Sequence, residues 1–191
     1  MNKVAYIIPG YDGTQHLNNV QLVATLFKSM KVTPVPIKIR WKYRTMSDYL
    51  SDLFSQVRAN ENREMYLFGF SYGAMIALLS APVLQPTRLY LCSLSPYFKE
   101  DLILMREQVA IKIIGKKRHA EFKTIEFNAL AKTIKCSTTL LAGEKESESV
   151  IGITQRAHER IKKARMIIVP HASHNLNHVS YRNTLKEILS N

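Results

Sequence analysis

The stretch Gly69-Phe70-Ser71-Tyr72-Gly73 constrains this chain more than any other. Residues 65–68 before it are apolar and aromatic, as a buried strand is. Residues 74–81 after it are rich in Ala, Leu, Ile and Met, as a buried helix is. A serine between two glycines at a strand-to-helix junction has to turn within very few residues. Glycine leaves room for that turn because it has no Cβ. The serine is therefore predicted to hold a strained backbone conformation, with its hydroxyl raised above the sheet at the start of the helix. Free N–H groups and the helix dipole favour developing negative charge there. The pattern points to a nucleophilic serine. The plainer reading is a glycine-flanked turn serine, and the register of strand, motif and helix favours the first.

Strand and helix signals alternate along the rest of the chain. Strands are predicted at residues 4–8, 32–39, 65–68, 88–94, 138–142 and 166–169. Helices are predicted at 15–30, from Ser47 or Asp48 through Val57, after Ser71, at 149–163 and at 176–189. Pro34 and Pro36 make the second strand an edge strand, because each lacks the N–H that a central strand would donate. Such alternation builds a parallel sheet with right-handed crossovers and helices on both faces, a three-layer α/β sandwich. The rhythm breaks once. Residues 96–135 contain no strand signal, and 101–114 and 122–134 look helical. A structureless loop of that length is improbable in a compact domain. The segment is expected to hold a crossover helix plus a small lid over the carboxyl edge of the sheet.

At 191 residues the chain is long enough for one domain with a full core. No signal peptide or membrane-length apolar run is visible, so a cytoplasmic protein is expected. Cys92 and Cys136 lie in or beside strand patterns and read as reduced packing residues. The net charge of +12 could serve an anionic partner. Its two basic runs, 116–119 and 160–165, lack a recognisable nucleic-acid module and the interleaved aromatics of a stacking platform. They read as solvated surface, and no nucleic-acid partner is expected.

A serine nucleophile needs a base, a group that orients the base, and donors for an oxyanion. In an open parallel sheet these come from loops at the carboxyl ends of strands. Three such loops carry suitable residues. They are Tyr11-Asp12-Gly13 after the first strand, Glu144-Lys145-Glu146-Ser147-Glu148 after the fifth, and His171-Ala172-Ser173-His174 after the sixth. His171, His174 and His178 have a spacing that invites a metal reading, but the sequence supplies no obvious further ligand and no metal site is expected. Trp41 and its neighbours Lys42, Tyr43 and Arg44 follow the second strand at the same edge. Ser93 and Ser95 end the fourth. Asp12, Trp41 and Ser95 are candidates for contact with a substrate.

With the serine turn, the glycine-x-x-acid turn from Gly143 and the late His174-Asn175 loop, the chain resembles the α/β-hydrolase superfamily over nearly its whole length. It looks like a minimal version without the two leading antiparallel strands. The resemblance implies a six-stranded parallel sheet in the order 2-1-3-4-5-6. It implies Ser71 as nucleophile, His174 as base and Glu146 as acid, with Glu144 and Glu148 as competitors for the last role. It implies an oxyanion hole made by the backbone N–H groups of Tyr11 and Tyr72. The activity implied is hydrolysis of a small-molecule carboxylic ester or thioester through an acyl-enzyme, without a cofactor. A non-catalytic binding protein on the same fold, or a basic protein that associates with an anionic partner, are the other readings.

Overall fold

Each strand of the sheet divides its side chains between two cores. In β1 (Asn2–Ile8), Val4, Tyr6 and Ile8 face one core, while Ala5 and Ile7 face the other. In β3 (Arg63–Phe70), Leu67 faces the first core, and Tyr66, Phe68 and Phe70 face the second. β4 (Arg88–Cys92) alternates in the same way, with Leu89 and Leu91 against Tyr90 and Cys92. This period of two is what a sheet covered on both faces requires. The computed structural model describes residues 2–11, 14–58, 63–95 and 97–190. Its sheet is completed by β2 (Thr33–Pro36), β5 (Ser137–Gly143) and β6 (Ala164–Val169), all parallel, in the order β2-β1-β3-β4-β5-β6.

One core lies under α1 (Thr14–Ser29) and α9 (Val179–Ser190), where Val23, Phe27, Tyr181, Leu185 and Leu189 are buried. The other lies under α2 (Met46–Phe54), α3 (Tyr72–Leu84) and α8 (Glu148–Arg160). In α3, Ala74, Met75, Ile76, Ala77 and Leu78 are all fully buried, so this helix is apolar around its circumference. Among the described residues no helix is long and apolar enough to cross a membrane.

Three elements differ from the sequence reading. The second strand is shorter than 32–39, because regular pairing with β1 ends at Pro36. Ile37 still donates its N–H to Ile7 O at 2.9 Å. Pro34 and Pro36, on the alternate positions, present their missing donors away from β1, as an edge strand allows. Helix α2 starts earlier than Ser47. Its N-cap is Thr45, whose N–H donates to the Asp48 carboxylate at 2.9 Å, so Asp48 acts from the third helical position. Among the described residues, the region between β4 and β5 holds four short helices rather than two. They are α4 (Lys99–Leu102), α5 (Glu107–Ile114), α6 (Lys116–Phe122) and α7 (Phe127–Thr133). Gly115, at φ 83°, separates α5 from α6 in a conformation that a residue with a Cβ rarely adopts.

These helices are anchored to the same core as α2 and α3 through Phe98, Leu102, Ile114, Phe122 and Phe127. A polar clasp also fixes α6. The Glu121 carboxylate accepts the N–H groups of Met46 at 2.5 Å and Ser47 at 2.8 Å, along with the Ser47 hydroxyl. It thereby satisfies the orphan donors at the start of α2, where a carboxylate also meets the positive end of the dipole.

Candidate active site

Ser71 sits between β3 and α3 with φ 57° and ψ −124°, outside the regions ordinary residues occupy. Such a conformation costs of order 1–3 kcal/mol and persists only where its surroundings enforce it. The enforcement is visible. Ser71 donates its N–H to Cys92 O at 2.9 Å, and its own carbonyl accepts the N–H of Ala74 at 2.9 Å. A Cβ on Gly69 would lie 2.2 Å from Gly73 O. A Cβ on Gly73 would lie 2.3 Å from both Ile8 O and Pro9 O. The serine turn therefore presses against the end of β1 and the start of its loop, which brings Tyr11 alongside. The Tyr11 and Tyr72 rings are 5.2 Å apart. Neither residue's N–H is donated to another group among the described residues.

This close approach gives a stability prediction. Gly73→Ala should lower the unfolding free energy by about 3 kcal/mol, since the new methyl meets fixed backbone on two sides. Gly152→Ala, in α8 with nothing within 4 Å of the added Cβ, should instead stabilise by about 0.5–1 kcal/mol. Urea denaturation of the two variants against the parent checks both signs.

At the other side of the site, β5 and β6 end beside one another. A Cβ on Gly143 would come within 2.5 Å of Ala172 O, and Lys145 donates its N–H to that oxygen at 2.8 Å. In this tight junction Glu146 Oε2 pairs with His174 Nδ1 at 2.9 Å. The other carboxylate oxygen, Oε1, accepts the Ser93 hydroxyl at 2.5 Å and the Gly143 N–H at 2.9 Å. The Glu146 side chain is fully buried, while His174 is 42% exposed. Burial by itself would raise the Glu146 carboxyl, but hydrogen bonds from His174, Ser93 and Gly143 outweigh it and hold the group below its usual range. The His174 ring lies 4.8 Å from Phe70, the residue before the serine. Among the described residues, the hydrogen-bond partner of the Ser71 hydroxyl is Ser95 Oγ, at 3.2 Å, rather than His174.

Among the described residues, neither of the neighbouring acids pairs with His174. Glu144 accepts the N–H of His171 at 2.6 Å. Glu148 lies in the first turn of α8, behind the N-cap Ser147. Among the described residues, no three His, Cys, Asp or Glu side chains gather as metal ligands would.

No family model and no curated sequence matches the chain significantly. Solved structures do match. Est1E from Butyrivibrio proteoclasticus, solved with ferulic acid bound, superposes with a TM-score of 0.79 at 12% identity over 98% of this chain and 86% of its own. MGS-MChE2, an α/β-hydrolase enzyme from the metagenome of lagoon sediments at Mar Chica, Morocco, gives 0.76 at 14% identity, covering 99% and 89%. A lipase-esterase related protein from Clostridium acetobutylicum gives 0.65 at 14% identity, covering 98% and 93%. The chain has the α/β-hydrolase fold. In that fold the loops carrying Tyr11, Ser71, Ser95, Glu146 and His174 meet at the carboxyl edge of the parallel sheet.

A cavity of about 370 Å³ opens at this edge. Tyr11, Tyr72, Ser95, Ile113, Arg118 and Ser147 are among its walls. Helices α5 and α6 thus contribute Ile113 and Arg118. Of the other apolar residues of this region, Leu102 is buried in the core, whereas Ile103 is 73% exposed. Trp41 does not line the cavity. It packs against the Tyr11 and Tyr49 rings, at 5.4 and 4.8 Å, and supports the wall from behind. Asp12 lies outside the described residues. A larger depression of about 650 Å³ lies at the opposite end of β1 and β2, lined by Lys3, Thr33 and Arg58 among others, away from the serine.

Three features escaped the sequence reading. Ser93, at φ 54°, turns its hydroxyl toward Glu146 and also toward Tyr181 Oη, 3.1 Å away, rather than into the cavity. Tyr181, from α9, is fully buried behind it. The basic run 116–119 is not wholly solvated surface, because His119 is buried and Arg118 faces the cavity. Its letters alone carry no sign of this.

Proposed function

We propose that the chain is a serine hydrolase that cleaves a carboxylic ester or thioester through an acyl-enzyme. The observation that carries this reading is the conjunction of a positive-φ serine at the β3–α3 turn with a His174–Glu146 pair at the same sheet edge. In the proposed cycle Ser71 turns its hydroxyl from Ser95 to the free nitrogen of His174, Nε2, and attacks the acyl carbonyl as the imidazole takes its proton. Glu146 holds the other nitrogen, keeps the required tautomer and stabilises the cation that forms. The N–H groups of Tyr11 and Tyr72 receive the oxyanion. His174 then protonates the leaving group, and water activated by the same imidazole releases the acid and restores the serine hydroxyl.

The matched structures named as a hydrolase enzyme and a lipase-esterase related protein support the reaction class. The cavity is near the small end of the range of about 300–1,000 Å³ for ligand sites. Short or medium acyl groups are therefore the proposed substrates, and α5 and α6 the proposed lid. Two unpaired cysteines, Cys92 buried and Cys136 half-buried, support a cytoplasmic setting.

A fluorophosphonate probe should label the folded protein at one serine, and a panel of aryl esters and thioesters should show turnover. A folded protein that takes no label and turns over no ester would instead be a binding protein on a hydrolase fold. The Ser71–Ser95 hydrogen bond is the observation that would then fit.

A further inference from the structure

We infer that the substrate carries a carboxylate, and that Arg118 recognises it inside the cavity beside Ser71. The inference rests on the hydrolase reading and adds the substrate class. Among the described residues named as lining the cavity, Arg118 is the one with a charged side chain. Its guanidinium lies over the ring of Tyr11, another cavity wall residue, at 4.9 Å from the centroid. Arg118 also makes a side-chain hydrogen bond with the Tyr11 hydroxyl. One such partner uses only part of the five N–H donors of a guanidinium, and the rest can meet a carboxylate.

No ion pair to Arg118 occurs among the described residues. The nearby acids have other partners. Glu121 clasps the start of α2, and Glu107 pairs with Lys123. Arg40 and Arg44, in the loop after β2, have acidic partners in Asp48 and Asp52. The Tyr11 hydrogen bond and the neighbouring tyrosines offset the desolvation of this half-buried guanidinium, but none of them is a counter-ion, and a bound carboxylate would supply one. Its position is also held. Arg118 is one turn before Glu121 on α6, and the Glu121 clasp fixes that helix against α2. The hydroxyls of Ser95, Ser147 and Ser149 on the same walls can donate to the second carboxylate oxygen.

The carboxylate could lie on the acyl part or on the leaving group, and two matched ester pairs distinguish these. A monoaryl ester of adipic acid, with its free terminal carboxylate, is compared with the same ester bearing a terminal carboxamide. The 4-acetoxybenzoate anion is compared with 4-acetoxybenzamide. The wild-type protein should prefer the carboxylate member of at least one pair in kcat/KM, and salt should weaken that preference. Arg118→Gln should reduce the carboxylate-to-carboxamide ratio about ten- to hundred-fold, the range expected for a hydrogen-bonded charge. Arg118→Lys should retain part of it. A wild-type ratio near one in both pairs would overturn the inference, as would an equal loss for both members in Arg118→Gln.

If no ester is hydrolysed and no covalent label forms, the hydrolase reading has failed, and the anion site is then read by binding. Adipic acid monoamide and adipamide are titrated into wild type and Arg118→Gln and followed by NMR shifts of the cavity residues. Binding of the carboxylate alone, lost in the variant, would sustain the site. Absence of binding, or equal binding of both compounds, would remove it.

Discussion

Ser71→Ala is expected to abolish fluorophosphonate labelling and to reduce ester turnover by about 10⁴–10⁶, the scale seen when a serine hydrolase loses its nucleophile. The fold should survive. Among the described residues the hydroxyl makes one hydrogen bond, to Ser95, and Ser71 is 8% exposed, so the change opens no large cavity. The strained backbone stays, because it is imposed by the Ser71–Cys92 bond and by the contacts of Gly69 and Gly73, which the substitution does not touch. An unfolding midpoint close to the parent's, together with lost labelling, would separate chemistry from stability. Ser95→Ala provides the contrast. If Ser95 were the activated group, its variant would lose the label while Ser71→Ala kept it, and the roles of the two hydroxyls would be exchanged.

The sheet could be read from the sequence because each of its causes is local. Apolar runs of strand length alternate with helical spacing, and prolines 34 and 36 mark the edge. The strand order followed from the family resemblance carried by the serine turn, and β2-β1-β3-β4-β5-β6 is the observed order. The 96–135 segment was harder. Its helicity was legible, but its division into four helices depends on where Phe98, Phe122 and Phe127 find core to bury them, which is a tertiary matter. The site shows the same limit more sharply. Spacing from Gly143 leaves Glu144 and Glu146 on one side of the chain. What separates them in space is Ser93, at positive φ after a different strand, and Tyr181 on the last helix. Arg118 reaches the cavity because Gly115, at positive φ, starts a new helix before it and Glu121 on that helix clasps the start of α2, 74 residues earlier in sequence. No local pattern encodes either arrangement.

Glu146→Gln should cost about 10⁴ in turnover, and the hydrogen-bond geometry explains why an isosteric change would be so damaging. Oε1 of Glu146 accepts two hydrogen bonds, from the Ser93 hydroxyl and the Gly143 N–H. In the variant this acceptor role falls to the amide oxygen, since an NH₂ group there would oppose the Gly143 donor. The NH₂ is then turned toward His174 Nδ1, which must become an acceptor. The imidazole proton moves to the nitrogen that should receive the serine proton, and the base is blocked. Glu144→Gln and Glu148→Gln leave this network intact and should change turnover less than about threefold. Stability gives an independent readout. Because the folded Glu146 carboxyl lies below its ordinary value, its stabilisation is full above the ordinary carboxylate range and is lost as pH falls through the folded value. The gap in unfolding free energy between wild type and Glu146→Gln should therefore shrink as pH is lowered from 7 into the acid range. A crippling effect of Glu144→Gln, with Glu146→Gln near wild type, would place the acid two residues earlier and make the buried pair with His174 a structural contact only.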